Sequence, residues 1–165
     1  MIKSILQGRF MNHPMHPMLV HLPIGLWIVS FIFDICFLST ANGAFAQASW
    51  YCMLIGLIGA GTAAVTGLAE YVDIPRNSLP RRVATTHMVL NLVVTALFLV
   101  NLLIRHNMSG AVPTLVTKGQ FFLSLFTVFL FSISGYLGGL LVYNYGIGFK
   151  PQLRDKPRDD IRRAA

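Results

Sequence analysis

The chain is poor in charge. Of its 165 residues only 12% are Asp, Glu, Lys or Arg, and just six are acidic. A soluble domain carries about 25% charged residues, so there is too little polar surface to cover a globule. Two cysteines cannot make a disulfide scaffold. Gly-x-Ser-x-Gly, a Walker loop, His-Glu-x-x-His and paired carboxylates are all missing, which removes the usual signs of a hydrolase or transferase. Cys-x-x-Cys-His is missing too, and covalent haem attachment with it. No internal repeat or low-complexity tract is evident. What the chain has in excess is apolar residues, 55% of the total, and these point to an integral membrane protein.

The apolar residues fall into four runs, at about 18–40, 48–69, 83–104 and 119–143. Each is long enough, at roughly 1.5 Å per residue, to cross a hydrocarbon core of about 30 Å. The runs are continuous rather than alternating, so they read as helices and not barrel strands. The expected fold is an all-α, integral membrane four-helix bundle over 17–146, with an N-terminal segment (1–16) and a basic tail (147–165) outside it. Ala44-Phe45-Ala46 resembles a signal-peptidase site, but the apolar run before it holds Asp34 and exceeds the roughly 7–15 residues of a signal peptide. Eleven of the thirteen basic residues lie on the side of the termini and the second loop; Arg105 and Lys118, in the third loop, lie on the other. The positive-inside rule then places both termini in the cytoplasm of a bacterial inner-membrane protein. Topology thus accounts for the net charge of +7 without nucleic acid.

Two of the spans carry small residues four apart, Gly59, Ala63 and Gly67 in the second and Gly135 and Gly139 in the fourth, which allow close helix approach. The third span carries a polar stripe of His87, Asn91 and Thr95. At the first span, three histidines and three prolines fall within residues 13–23. Pro23 denies a hydrogen bond to the carbonyl of Leu19, so the first turns should be distorted. Counted from the span starts, His21 and His87 lie at matching depth, and His16, Glu70 and Asp73 fall at the same end. The other end shows no such set: Asp34, Cys36, Cys52 and His106 read as scattered. Cys36 and Cys52 read as free thiols.

Ionisable groups inside a membrane are costly and mark function, and neutral imidazoles suit haem iron and transition metals. The leading expectation is one haem b between the first and third spans, with His21 and His87 as axial ligands. Gly25, Gly67 and Gly138 would give the ring space, and Arg81 or Arg82 would pair with the propionates. Electron transfer, with quinone or another redox partner, would follow. A second reading is copper: His13, His16, His21 and His87 as ligands, beside Met11, Met15 and Met18, suit Cu(I). A third is an accessory subunit without a cofactor, its small-residue faces serving the bundle or a homo-oligomer within the bilayer.

These same residues resemble a bacterial family of predicted membrane proteins, domain of unknown function 2231. The resemblance rests on His-Pro-Met-Leu-Val-His-Leu-Pro-Ile-Gly at 16–25 with Asp34 after it, Gly56 to Gly67 leading into Glu70-Tyr71-Val72-Asp73, His87 with Asn91, and Gly135-Tyr136-Leu137-Gly138-Gly139 to Tyr143. It implies a four-span inner-membrane domain, sometimes found beside redox modules, and no particular reaction.

Overall fold

A computed structural model describes Leu6, Gln7 and residues 15–148. The elements are α1 (Met15–Leu19), α2 (His21–Thr40), α3 (Gly43–Tyr71), α4 (Leu79–Ser109) and α5 (Lys118–Tyr143), with no strand among the described residues. Four helices are long and apolar enough to cross a membrane, α1 and α2 counting together as Met15–Thr40. Val20 joins them with helical dihedrals. The Leu19 carbonyl loses its partner to Pro23, whose ring has no N–H, and the helix is interrupted there.

Each later helix starts at a polar cap. Asn42 accepts from the Ala44 N–H, Ser78 from Arg81 and Thr117 from Gln120. Thr117 and Gln120 form a reciprocal box: the Gln120 side chain accepts from the Thr117 N–H at 2.8 Å, and the Gln120 N–H donates to the Thr117 hydroxyl at 3.3 Å. Thr117→Ala orphans one of these donors and should lower stability by about 1 kcal/mol, read as an earlier thermal unfolding of the detergent-solubilised protein. Helices α3 and α4 run past the apolar runs at both ends. They start at Gly43 and Leu79, and α4 continues to Ser109 before Gly110 closes it with a left-handed φ of 62°.

The chain enters and leaves at one end of the bundle. Pro17, Glu70 and Gly148 meet there, while Gly43 abuts Thr114 at the other. We call these the near and far ends. Midway between them Trp27 fixes the centre. Its ring stacks on Phe98 at 4.4 Å and meets Phe131 edge-on at 5.3 Å. Its indole N–H donates to the Met53 carbonyl at 3.4 Å, and its body lies against Gly56. One side chain thereby ties its own span to the other three. Large apolar residues cover the outside, among them Ile58, Leu92, Phe122 and Phe129. A soluble domain does not tolerate so continuous an apolar surface, whereas a bilayer solvates it.

The burial pattern corrects the absence of a repeat in the residue identities. The buried residues of α2 are Pro23, Trp27, Ser30 and Asp34. In α4, Val94, Phe98, Asn101 and Arg105 are buried at the same spacing.

Candidate functional site: a histidine pair at the near end

His16, in α1, points into the bundle. Its Nδ1 lies 2.8 Å from the Ala63 carbonyl oxygen on α3. A carbonyl only accepts, so Nδ1 carries the proton and Nε2 keeps the lone pair. The ring rests on Gly67, where a Cβ would stand 2.7 Å from Cε1; any larger residue would expel the imidazole. His87, on α4, is held in the same manner. Its Nδ1 donates to the Ser134 carbonyl on α5 at 2.8 Å, and its ring rests on Gly138, where a Cβ would stand 3.0 Å from Cε1. Its Nε2 accepts from the Asn91 amide at 3.1 Å, and that amide also donates to the His87 carbonyl at 2.9 Å.

His21 does not join them. It lies on the exposed surface of α2 with Nδ1 3.3 Å from its own helix's Met18 carbonyl. Five residues separate it from His16, about 140° around a helix, so the two cannot share a face. Gly25 is exposed as well, with nothing within 4 Å of a Cβ built there. The expected ring space is therefore not where the sequence placed it: Gly25 faces outward, and Gly67 and Gly138 seat the imidazoles themselves. Arg81 is committed elsewhere. Its guanidinium donates to the carbonyls of Tyr71 and Ile74 and stacks over the Tyr71 ring at 3.6 Å, pinning the α3–α4 turn. Arg82 is exposed near the start of α4. His13 lies outside the described residues.

Two acids share the near end. Asp73 accepts from the Gln7 amide at 2.6 Å. Glu70 is half-buried one turn beyond Gly67, with Pro17 and Gly148 beside it.

The far end departs most from expectation. Asp34 and Arg105 are fully buried and form a bidentate pair, with guanidinium nitrogens 2.8 and 2.7 Å from the two carboxylate oxygens. Ser49 donates to one carboxylate oxygen at 2.6 Å and Ser124 to the other at 2.8 Å. Arg105 Nε donates to the Asn101 side-chain oxygen at 3.1 Å. All four spans contribute, and every donor and acceptor of the ion pair is used. Asp34 is thus not isolated at the far end, while Cys36, Cys52 and His106 stay outside its cluster. Arg105 is not a loop charge, because α4 carries it inside the bundle. Cys36 and Cys52 are free and half-buried. The signal that could have found the cluster was available: a lone acid and a lone base at equal depth in an apolar bundle must pair.

A family profile described as a predicted membrane protein, DUF2231, matches residues 12–151. The chain belongs to that family. Neither a curated protein nor a solved structure matches it. The match takes in both histidines, their carbonyl partners and the buried ion pair, so the near-end and far-end clusters lie within the DUF2231 domain rather than on an appendage.

Proposed function

We propose that this DUF2231 protein is a membrane redox protein, and that His16 and His87 would hold one haem b at the near end. The observation that carries the reading is the shared anchoring of the two rings. A histidine that ligates a metal almost always donates its other N–H to a carbonyl or carboxylate, which fixes tautomer and orientation. Both rings do this through Nδ1, from spans that are not adjacent in the chain, and both carry the lone pair on Nε2, that of His87 being held by the Asn91 amide. Among the described residues no three His, Cys, Asp or Glu side chains gather. A donor set of two imidazoles suits haem, which supplies its own four nitrogens, better than a tetrahedral ion site.

Haem, when bound, supplies one-electron chemistry. The chain's own part is to hold the rings. The Ala63 and Ser134 carbonyls keep Nδ1 protonated, Gly67 and Gly138 allow the rings to seat, and the Asn91 amide yields the Nε2 of His87 while keeping the His87 carbonyl as its acceptor. Arg82 is the exposed base available to a propionate. By the distribution of basic residues the near end is cytoplasmic in a bacterial inner membrane, and the partner that reaches it is a quinone or a redox protein at that face.

The test is colour. Protein purified in detergent after expression with haem supplied should show a b-type α-band in the reduced-minus-oxidised spectrum. His16→Ala and His87→Ala should each remove it, and His21→Ala should leave it. A colourless wild type, or bleaching by His21→Ala and not by His16→Ala, overturns the reading.

A further inference from the structure

Asp34 and Arg105, joined in the far-end ion pair, are 71 residues apart. The same offset relates His16 to His87, Trp27 to Phe98 and Gly43 to Thr114. In the last two of these pairs, as in the ion pair, the two members meet. The two aromatic rings stack at 4.4 Å, the ion pair closes at 2.7 Å, and a Cβ on Gly43 would lie 3.0 Å from the Thr114 carbonyl oxygen.

Contacts between a position and its own counterpart have one geometric meaning. In a two-fold arrangement a residue meets its equivalent only at the axis. Three such meetings, at residues 27, 34 and 43 of the first half, follow the bundle from its centre to the far end. The surroundings repeat as well. His16 reaches the Ala63 carbonyl and His87 the Ser134 carbonyl, each 47 residues on and each at 2.8 Å. The glycine seats, Gly67 and Gly138, also differ by that offset.

We infer that the bundle is two copies of one two-span hairpin related by a pseudo-two-fold axis along the helices, and that the near-end ligand is held on this axis by equivalent imidazoles. The ligand class, haem iron or another metal centre taking two equal nitrogen donors, rests on the function proposed above; the axis does not. The halves run the same way through the membrane, because the first and third spans both start at the near end. Among the described residues the axis offers one such site and no second. Its far-end counterpart is an acid and a base that consume each other's hydrogen bonds. His21 falls outside the pattern, since its counterpart is Leu92, and that agrees with its exposed position.

The axis and the ligand are tested separately in the full chain. For the axis, Asp34→Arg and Arg105→Asp are each made alone and then together. Each alone puts two like charges on the axis and should lose most of the folded protein in detergent. The exchange places each group in its counterpart's position and should recover most of the loss in thermal unfolding. A double variant no more stable than the singles overturns the pseudo-symmetry. For the ligand, haem is titrated into His16→Ala and His87→Ala protein. Affinity should fall by the same factor in both, to within about twofold. Loss confined to one variant overturns the on-axis placement. A wild type that takes up no haem overturns the proposed function and the on-axis ligand, while the charge exchange still decides the axis.

Discussion

Asp34→Ala and Arg105→Ala should each cost the bundle about 3–5 kcal/mol, because either leaves an uncompensated charge in a buried site. The two side chains have no exposed surface, and the nearest alternative donors and acceptors are already engaged. Removing Arg105 leaves the Asp34 carboxylate with only the Ser49 and Ser124 hydroxyls. Removing Asp34 leaves a guanidinium facing the same two hydroxyls and the Asn101 oxygen, all neutral. A paired replacement, Asp34→Leu with Arg105→Met, takes away both charges. It still orphans the Ser49 hydroxyl and the Asn101 side-chain oxygen, while the Asn101 amide keeps Ser124 and the Gln120 carbonyl, so it should fall between wild type and the singles. Thermal unfolding in a mild detergent, followed by circular dichroism, orders the four proteins. If the double variant is worse than either single, the cluster is not held by charge compensation. The lesion should stay local to the far end, since the Trp27 stack stands between it and the histidines. A single variant that still folds should therefore keep the near-end site.

The four spans were legible because each is a long apolar run, and the lipid-facing surface needs only hydrophobicity to be specified. His87 was legible too, from its stripe with Asn91 on an otherwise apolar helix. The choice of His21 over His16 turned on where the first span begins. Starting the helix near residue 18 put His21 one turn deep, whereas the helix starts at Met15, and its first turn already carries an inward histidine. At the other end, closing the third span at Ile104 assigned Arg105 to a loop by a single residue. The α4 helix runs on to Ser109, and one extra position changed a topological charge into the partner of Asp34. The repeat was not legible because it keeps roles rather than residues. Trp27 is matched by Phe98 as a stacking ring and Asp34 by Arg105 as half of an ion pair, while identity survives at few positions, such as His16 with His87 and Gly67 with Gly138. A search for matching letters does not see an acid standing for a base.

Gly56→Ala should destabilise the protein although alanine is the better helix former. In an exposed helix interior the exchange gains up to about 1 kcal/mol, and Gly61→Ala, on the outer face of α3 with nothing within 4 Å of the new methyl, should show that gain. At Gly56 the methyl would stand 2.4 Å from Trp27 Nε1 and 2.5 Å from Cδ1. The indole has nowhere to go. Phe98 covers one face at 4.4 Å, Phe131 closes an edge, and the N–H is tied to Met53 on the same helix as the intruding methyl. Overpacking of this kind costs about 1–3 kcal/mol, enough to reverse the propensity gain. Gly59→Ala is the intermediate case. Its methyl would meet Leu22 Cδ2 at 2.9 Å, the far end of a flexible and exposed side chain that can turn away, and Pro23 Cδ at 3.1 Å, a rigid ring that must give by a few tenths of an ångström. The expected order of unfolding temperatures is Gly61→Ala highest, then Gly59→Ala, with Gly56→Ala lowest and below wild type. Trp27→Leu, itself destabilising, should make Gly56→Ala nearly neutral by opening room for the methyl. If Gly56→Ala is equally harmful in that background, the glycine is serving the α3 backbone and not the indole, and Trp27 is not the side chain that fixes the centre of the bundle.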